Sequence, residues 1–134
     1  MILVLCLDDR GGMRFNRRRQ SQDRLLREDL LREAAGRTVW MSEYTLSQFP
    51  DPPDNLRPAE DPLDRAGPGE LCFVETEDPA PWAGRVEQVI LYRWNRRYPA
   101  DLYCTLSLEG WTLGRSEEFA GSSHEKITKE VYVP

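Results

Sequence analysis

Several things are scarce in this sequence, and each scarcity excludes a class of protein. The 134 residues include one histidine and three cysteines. A two-zinc hydrolase needs several histidines, so that chemistry is excluded. The three cysteines lie far apart, which predicts no disulfide framework or metal cluster and favours a reduced, cytoplasmic protein. The apolar runs are too short to span a membrane, and a signal-peptide pattern is absent.

Charge is distributed unevenly along the chain. Residues 1–40 contain nine Arg and no Lys against six acidic residues, a net charge of +3. The remaining 94 residues contain nine basic and 17 acidic residues, a net charge of −8. The net charge of the whole chain, −5, argues against non-specific DNA binding. A local group of arginines can nevertheless hold one phosphorylated ligand.

The first 41 residues predict a strand, a loop, a helix and a second strand. The unbroken apolar run Ile2–Leu7 is typical of a strand covered on both faces, and the acidic, glycine-containing residues 8–12 predict a turn. An amphipathic helix follows, with Ser21 as its predicted cap and Gly36 at its end. Residues 38–41 predict the next strand, which makes a βαβ unit with a right-handed crossover.

The rest of the chain completes a sheet. We expect a short helix over 42–49, ended by Pro50, and an irregular proline-rich surface connection over 50–69 with one helical turn near Leu63. Further strands and an edge hairpin are predicted from the apolar and alternating segments at 71–74, 88–94, 111–119 and 124–133. The sequence therefore predicts one α/β domain over 1–134, with a central mixed sheet and flanking helices.

The predicted ligand site is the basic segment after the first strand. Ligands of open α/β sheets bind beyond the carboxyl ends of the strands, and arginine presents a planar fork of donors to phosphate. An aromatic side chain there can stack on a base. We expect a nucleotide or short RNA to contact Asp9, Arg10, Arg14, Phe15, Arg17, Arg18, Arg19 and Arg24. The alternative is a solvated loop whose arginines pair with nearby acids.

Other side chains with chemical potential have plainer interpretations. Asp8, Asp9 and Asp23 can hold Mg²⁺ if they meet, but an acidic pair before glycines is also ordinary turn chemistry. A lone His124 is expected at the surface. Its neighbours Ser122 and Ser123 form no triad with it, because the three share one turn and no orienting acid is evident.

In the order of its elements the chain resembles dihydrofolate reductase. The resemblance rests on residues 37–41 followed by Tyr44-Thr45, and on the closing segments 116–119 and 122–124. It implies the fold of that family, with a C-terminal antiparallel hairpin. It also implies NADPH as cofactor, Asp23 as the catalytic proton relay and Thr45 on the cofactor. The family has a glycine pair after its fifth strand where the backbone meets the cofactor, whereas this chain has residues 75–78, of which Glu75, Glu77 and Asp78 are acidic. These acids disfavour NADPH.

Two segments, at 8–24 and 117–132, resemble a group of small uncharacterised bacterial proteins that carry the label ribonuclease Z. That label implies a metal-dependent ribonuclease, which here would need Mg²⁺ on the three aspartates.

The favoured hypothesis is a module that binds a phosphorylated ligand without reductase chemistry. The alternatives are an NADPH-dependent reductase, a metal-dependent ribonuclease, and an interaction protein whose aromatic strands form a homodimer.

Overall fold

The buried strand at the start of the chain lies in the middle of a seven-stranded sheet in the computed structural model, which describes residues 1–134. The spatial order is β5 (Leu56–Pro58), β4 (Val39–Met41), β6 (Leu71–Phe73), β1 (Ile2–Leu7), β7 (Gln88–Arg93), β10 (Ile127–Val133) and β9 (Thr112–Phe119). The first five strands in this order are parallel, and β10 runs antiparallel to both of its neighbours. The predicted mixed sheet and C-terminal hairpin are confirmed.

A second, three-stranded sheet contains β3 (Arg18–Arg19), β2 (Gly12–Phe15) and β8 (Leu102–Tyr103), in that order. The prediction that this basic segment is a loop was therefore wrong. Asn16 and Arg17 adopt φ angles of 51° and 62°. Two adjacent residues in the left-handed region form a tight reversal between β2 and β3, and no glycine in the sequence marks it.

The main sheet has an apolar core on each face. Helix α1 (Arg24–Ala34) buries Leu26, Leu30 and Ala34 against alternate residues of β1, namely Ile2, Val4 and Cys6. The other alternate residues of β1 enter the second core, together with Leu63 of α3 (Pro62–Arg65). Strand β1 is buried along its whole length because its side chains alternate between two covered faces.

Charged groups also attach α1 to the sheet. The Lys129 ammonium of β10 is buried and lies 2.8 Å from a carboxylate oxygen of Asp29 and 2.5 Å from one of Glu33. The Tyr92 hydroxyl of β7 donates to Asp29 over 2.5 Å. A buried lysine needs such partners, because an isolated charge costs several kcal/mol to desolvate.

Outside the small sheet, one short element departs from the predictions. Helix α2 (Glu43–Leu46) begins after a Ser42 cap, and a single 3₁₀ helix spans Ala80–Arg85. The proline-rich connection contains the expected turn at α3, but it also contributes β5, which the sequence did not predict. Three residues that end in proline carry too little apolar pattern to predict a strand. None of the helices has the length and apolar character needed to cross a membrane.

Candidate functional site at the carboxyl edge of the sheet

The carboxyl ends of the parallel strands bring four chain segments to one edge. Asp8 follows β1, Ser42 follows β4, Val74 and Glu75 follow β6, and Trp94 follows β7. The predicted ligand residues leave from this edge, as do residues that the sequence did not suggest. Three clusters of contacts account for most of the side chains here: an aspartate turn, a buried ion pair and a histidine network.

Asp8 closes the turn after β1. Its Oδ1 accepts from the backbone N–H groups of Arg10 over 2.8 Å and Gly12 over 2.7 Å, and its Oδ2 accepts from Gln20 over 2.8 Å. Burial alone raises the pKa of Asp8, but these hydrogen bonds outweigh burial and lower it. A Cβ at Gly12 would lie 2.5 Å from the Asp8 carboxylate, so this close approach requires glycine.

The neighbouring Asp9 is exposed and Asp23 belongs to another cluster. No group of three His, Cys, Asp or Glu residues could hold a metal ion. The hypothesis of a metal-dependent ribonuclease therefore has no residues to support it, and the ribonuclease Z label finds no support.

The arginines of the basic segment fall into two sets. Arg19 is engaged: its guanidinium donates to the Tyr44 carbonyl over 2.8 Å, lies 3.3 Å from the Glu75 carboxylate and stacks 4.3 Å above the Tyr44 ring. Arg24 is exposed and pairs with Glu28 along α1. Arg14 is half-buried, and its Nε has no hydrogen-bond partner. The exposed members without a side-chain partner are Arg10, Arg17 and Arg18.

A second basic segment joins the first at this edge. The Asp9 N–H donates to the Arg96 carbonyl over 2.9 Å, and β2 pairs with β8 through Gly12 and Tyr103. This second segment comprises residues 95–103, and its contacts with the first join residues that are 87 (Asp9 and Arg96) and 91 (Gly12 and Tyr103) positions apart in the sequence. Phe15 and Tyr103 are 47% and 43% exposed, so both aromatic side chains are open to solvent. We use the name basic aromatic surface for six exposed residues of these two segments, namely Arg10, Phe15, Arg17, Arg18, Arg96 and Tyr103.

The buried ion pair lies beyond the ends of β4 and β6. Glu75 is 6% exposed and faces Arg19; Gln48 donates to it over 3.1 Å. Burial raises the pKa of Glu75 above its ordinary value, despite the attraction of Arg19 and a hydrogen bond from Thr45. Thr45 is itself buried, and its hydroxyl accepts from Ser42 over 3.0 Å. The predicted cofactor contact at Thr45 is thus part of an internal network.

Asp23 is the centre of the histidine network. It is 1% exposed and caps α1 by accepting from the N–H groups of Leu25 and Leu26 over 3.0 and 3.2 Å. It also accepts from the N–H groups of Ser122 and Ser123 over 3.0 and 2.9 Å. Burial alone raises the pKa of Asp23, but the Ser123 N–H and His124 outweigh it and hold the pKa well below its ordinary value. Asp23, not Ser21, is the helix cap.

The prediction that His124 lies at the surface was wrong, because its side chain is buried and only 6% exposed. Its Nδ1 lies 2.9 Å from Asp23 Oδ2, and its ring stacks on Trp94 with centroids 4.5 Å apart. Nε2 lies 2.9 Å from the Ser21 hydroxyl and 3.1 Å from the Tyr98 hydroxyl. The expectation that no acid orients His124 was therefore wrong, because Asp23 is 101 residues away in sequence and adjacent in space.

The largest cavity lies away from these clusters. Its volume is about 400 Å³, and it is lined by Trp40, Pro58, Ala59, Glu60, Asp61 and Arg65. Two acidic residues and one arginine make it a poor place for a phosphate.

The chain has the fold of dihydrofolate reductase. The chain superimposes on a dihydrofolate reductase from Enterococcus faecalis, solved in complex with NADP(H) and RAB-propyl, with a TM-score of 0.70 over 98% of this chain and 94% of that one. At 9% identity the likeness shows the fold alone. No protein-family model matches the sequence, and no curated protein matches it either.

Proposed function

We propose that this protein binds a phosphorylated ligand, a nucleotide or a short RNA, on the basic aromatic surface, and that it carries out no reductase chemistry. The observation that supports this most directly is the meeting of two basic segments at the carboxyl edge of the sheet, through the Asp9–Arg96 hydrogen bond and the pairing of β2 with β8. Exposed arginines supply the charge for phosphate, and exposed aromatic rings supply stacking for bases.

The experiment is fluorescence anisotropy with a labelled single-stranded RNA oligonucleotide, with ATP as competitor. Replacing both Arg17 and Arg18 with alanine should weaken RNA binding about tenfold or more and reduce its dependence on salt. The control replaces Arg57 and Arg65, which are also exposed but lie on β5 and α3, where Arg65 pairs with Asp61. Both double variants remove two positive charges, so equal losses of affinity would mean non-specific attraction and would contradict the proposal.

A stacking role is tested separately by Phe15→Ala. Loss of one stacked base costs about 1–3 kcal/mol of binding free energy. The control is Leu113→Ala, which removes a similarly exposed apolar side chain (46%) from β9. Unchanged affinity in the Phe15 variant would limit the ligand to phosphate contacts.

The reductase alternative draws support from the fold. The reductase to which the chain is similar was solved with NADP(H), and Asp23 and Thr45 would be the proton relay and a cofactor contact by that analogy. The residues beyond β6 do not fit the cofactor: Glu75 is buried against Arg19 where the resemblance implies that a glycine backbone meets a pyrophosphate. A carboxylate there repels a diphosphate. We expect NADPH to leave the melting temperature unchanged, and a clear rise would restore this alternative.

Self-association remains a separate proposal. Strand β9 forms the edge of the main sheet, and nearly all of its residues are exposed. An open edge of this length can pair with a second copy, although its charged residues oppose that. Light scattering that gives the mass of one chain would contradict it.

A further inference from the structure

We propose that Ser21, His124 and Asp23 form a catalytic triad for acyl transfer, in which the Ser21 hydroxyl attacks a carboxylic ester. This inference is independent of ligand binding on the basic aromatic surface. It starts from a chain of two contacts: Asp23 Oδ2 to His124 Nδ1 over 2.9 Å, and His124 Nε2 to the Ser21 hydroxyl over 2.9 Å. Both distances are within hydrogen-bond range for a nucleophile, a base and an orienting acid.

The protonation of the network follows from its hydrogen bonds. Asp23 accepts from four backbone N–H groups, which keep it ionised and therefore an acceptor only. The proton between Asp23 and His124 consequently belongs to Nδ1. In the neutral imidazole this leaves Nε2 with a free electron pair, which faces the hydroxyls of Ser21 and Tyr98. This is the tautomer that can take a proton from a serine.

The surroundings hold the base in place. His124 is 6% exposed and its ring is stacked on Trp94, so the imidazole has little freedom to rotate away from Ser21. Ser21 is half-buried and belongs to an irregular segment before α1, where it is accessible from solvent. The N–H of Gln22, the residue after Ser21, makes no hydrogen bond within the protein. The N–H after a serine nucleophile is a common donor to a developing oxyanion.

The reaction balances without any added reagent except water. The Ser21 oxygen bonds to the ester carbonyl carbon while its proton passes to His124 Nε2. The carbon–oxygen bond to the leaving alcohol then breaks, and Nε2 returns the proton to that alcohol. Water then attacks the acyl carbon while its proton passes to Nε2. The bond between that carbon and the Ser21 oxygen breaks, Nε2 returns the proton to Ser21, and the carboxylic acid leaves.

Labelling with a fluorophosphonate probe tests the triad, because an activated serine oxygen attacks the phosphorus of the probe, expels fluoride and forms a phosphonyl ester. Intact mass spectrometry should show one adduct, and peptide mapping should place it on Ser21. Ser21→Ala should abolish labelling, and Ser116→Ala, which removes an exposed serine of β9, should leave the rate unchanged. His124→Gln should slow labelling about a hundredfold or more. Release of p-nitrophenol from p-nitrophenyl acetate should follow the same order among the variants.

The proposal is overturned if no adduct forms on Ser21 in the folded wild-type protein, or if the adduct forms at the same rate in His124→Gln. If His124→Gln fails to fold, Ser21→Cys replaces it. Its thiol should react with iodoacetamide at least tenfold faster than a thiol at position 116 (Ser116→Cys), because the imidazole of His124 favours the thiolate. Equal rates at the two positions would also overturn the triad.

Discussion

Asp23 and Glu75 are both buried at the carboxyl edge of the sheet, and their environments are opposite. Asp23 is surrounded by donors, four of them backbone N–H groups, and its pKa is lowered in spite of burial. Glu75 faces one guanidinium and a few side-chain donors, and burial raises its pKa. Burial alone therefore does not fix the direction in which the pKa of a carboxyl group moves, because hydrogen-bond donors aimed at the carboxylate can outweigh it.

The two clusters also differ in what they connect. The Asp23 cluster joins the start of α1 to the segment before β10, which lies about 100 residues later in the chain. A Cβ at Gly121 would lie 2.9 Å from Ile127 and closer still to the Asp23 carboxylate, so the chain passes close to this cluster. The Glu75 cluster joins the small sheet to α2 through Arg19 and Tyr44.

The largest difference between the two should appear when Asp23 is removed. Asp23→Ala takes away a helix cap and leaves several buried N–H groups without an acceptor, so we expect a loss of about 3–5 kcal/mol in the free energy of unfolding. Urea denaturation followed by circular dichroism measures it. The control Asp9→Ala, at an exposed position beside the same strand edge, should change stability by less than about 0.5 kcal/mol. Similar losses in both variants would contradict the structural role of Asp23.

Adjacent arginines sharpen the contrast within the basic segment. Arg19→Ala leaves Glu75 buried without its cation, and we expect it to destabilise the fold by about 2–4 kcal/mol. Arg18→Ala removes the same charge from an exposed position and should cost less than about 0.5 kcal/mol. Thermal or urea unfolding compares them directly. A stable Arg19 variant would mean that Glu75 finds another partner.

The smallest effect concerns pH. The pKa of Glu75 is raised in the folded protein, so its contribution to stability is greatest below the ordinary glutamate pKa of about 4.3 and is lost as the pH rises through the raised value. The wild-type protein should therefore lose stability relative to Glu75→Gln as the pH increases above about 4.5. Asp23 has the opposite sign, since its stabilisation is lost only as the pH falls below about 4. Unfolding of both proteins between pH 4 and 8 measures the difference, and parallel curves would contradict it.

The elements with a strong local pattern could be predicted from the sequence. Strand β1, the amphipathic face of α1 and the closing hairpin are visible because apolar residues repeat with a strand or helix period along contiguous residues. The small sheet and β5 were missed for the same reason. They have two to four residues each, and their pairing partners lie elsewhere in the chain.

The candidate sites likewise include features that follow from local sequence and features that depend on contacts between distant residues. The sequence by itself determined that arginines cluster after β1, since that depends only on order, and it determined the apolar periods that build the sheet. Only the tertiary structure decided three contacts. Arg19 is ion-paired with Glu75, the Arg96 carbonyl accepts from Asp9 beside the basic aromatic surface, and Asp23 contacts His124, which is 101 residues away in the sequence. Protonation and reactivity depend on distances of about 3 Å between side chains. The connections between the strands of the sheet bring distant segments together and so set those distances.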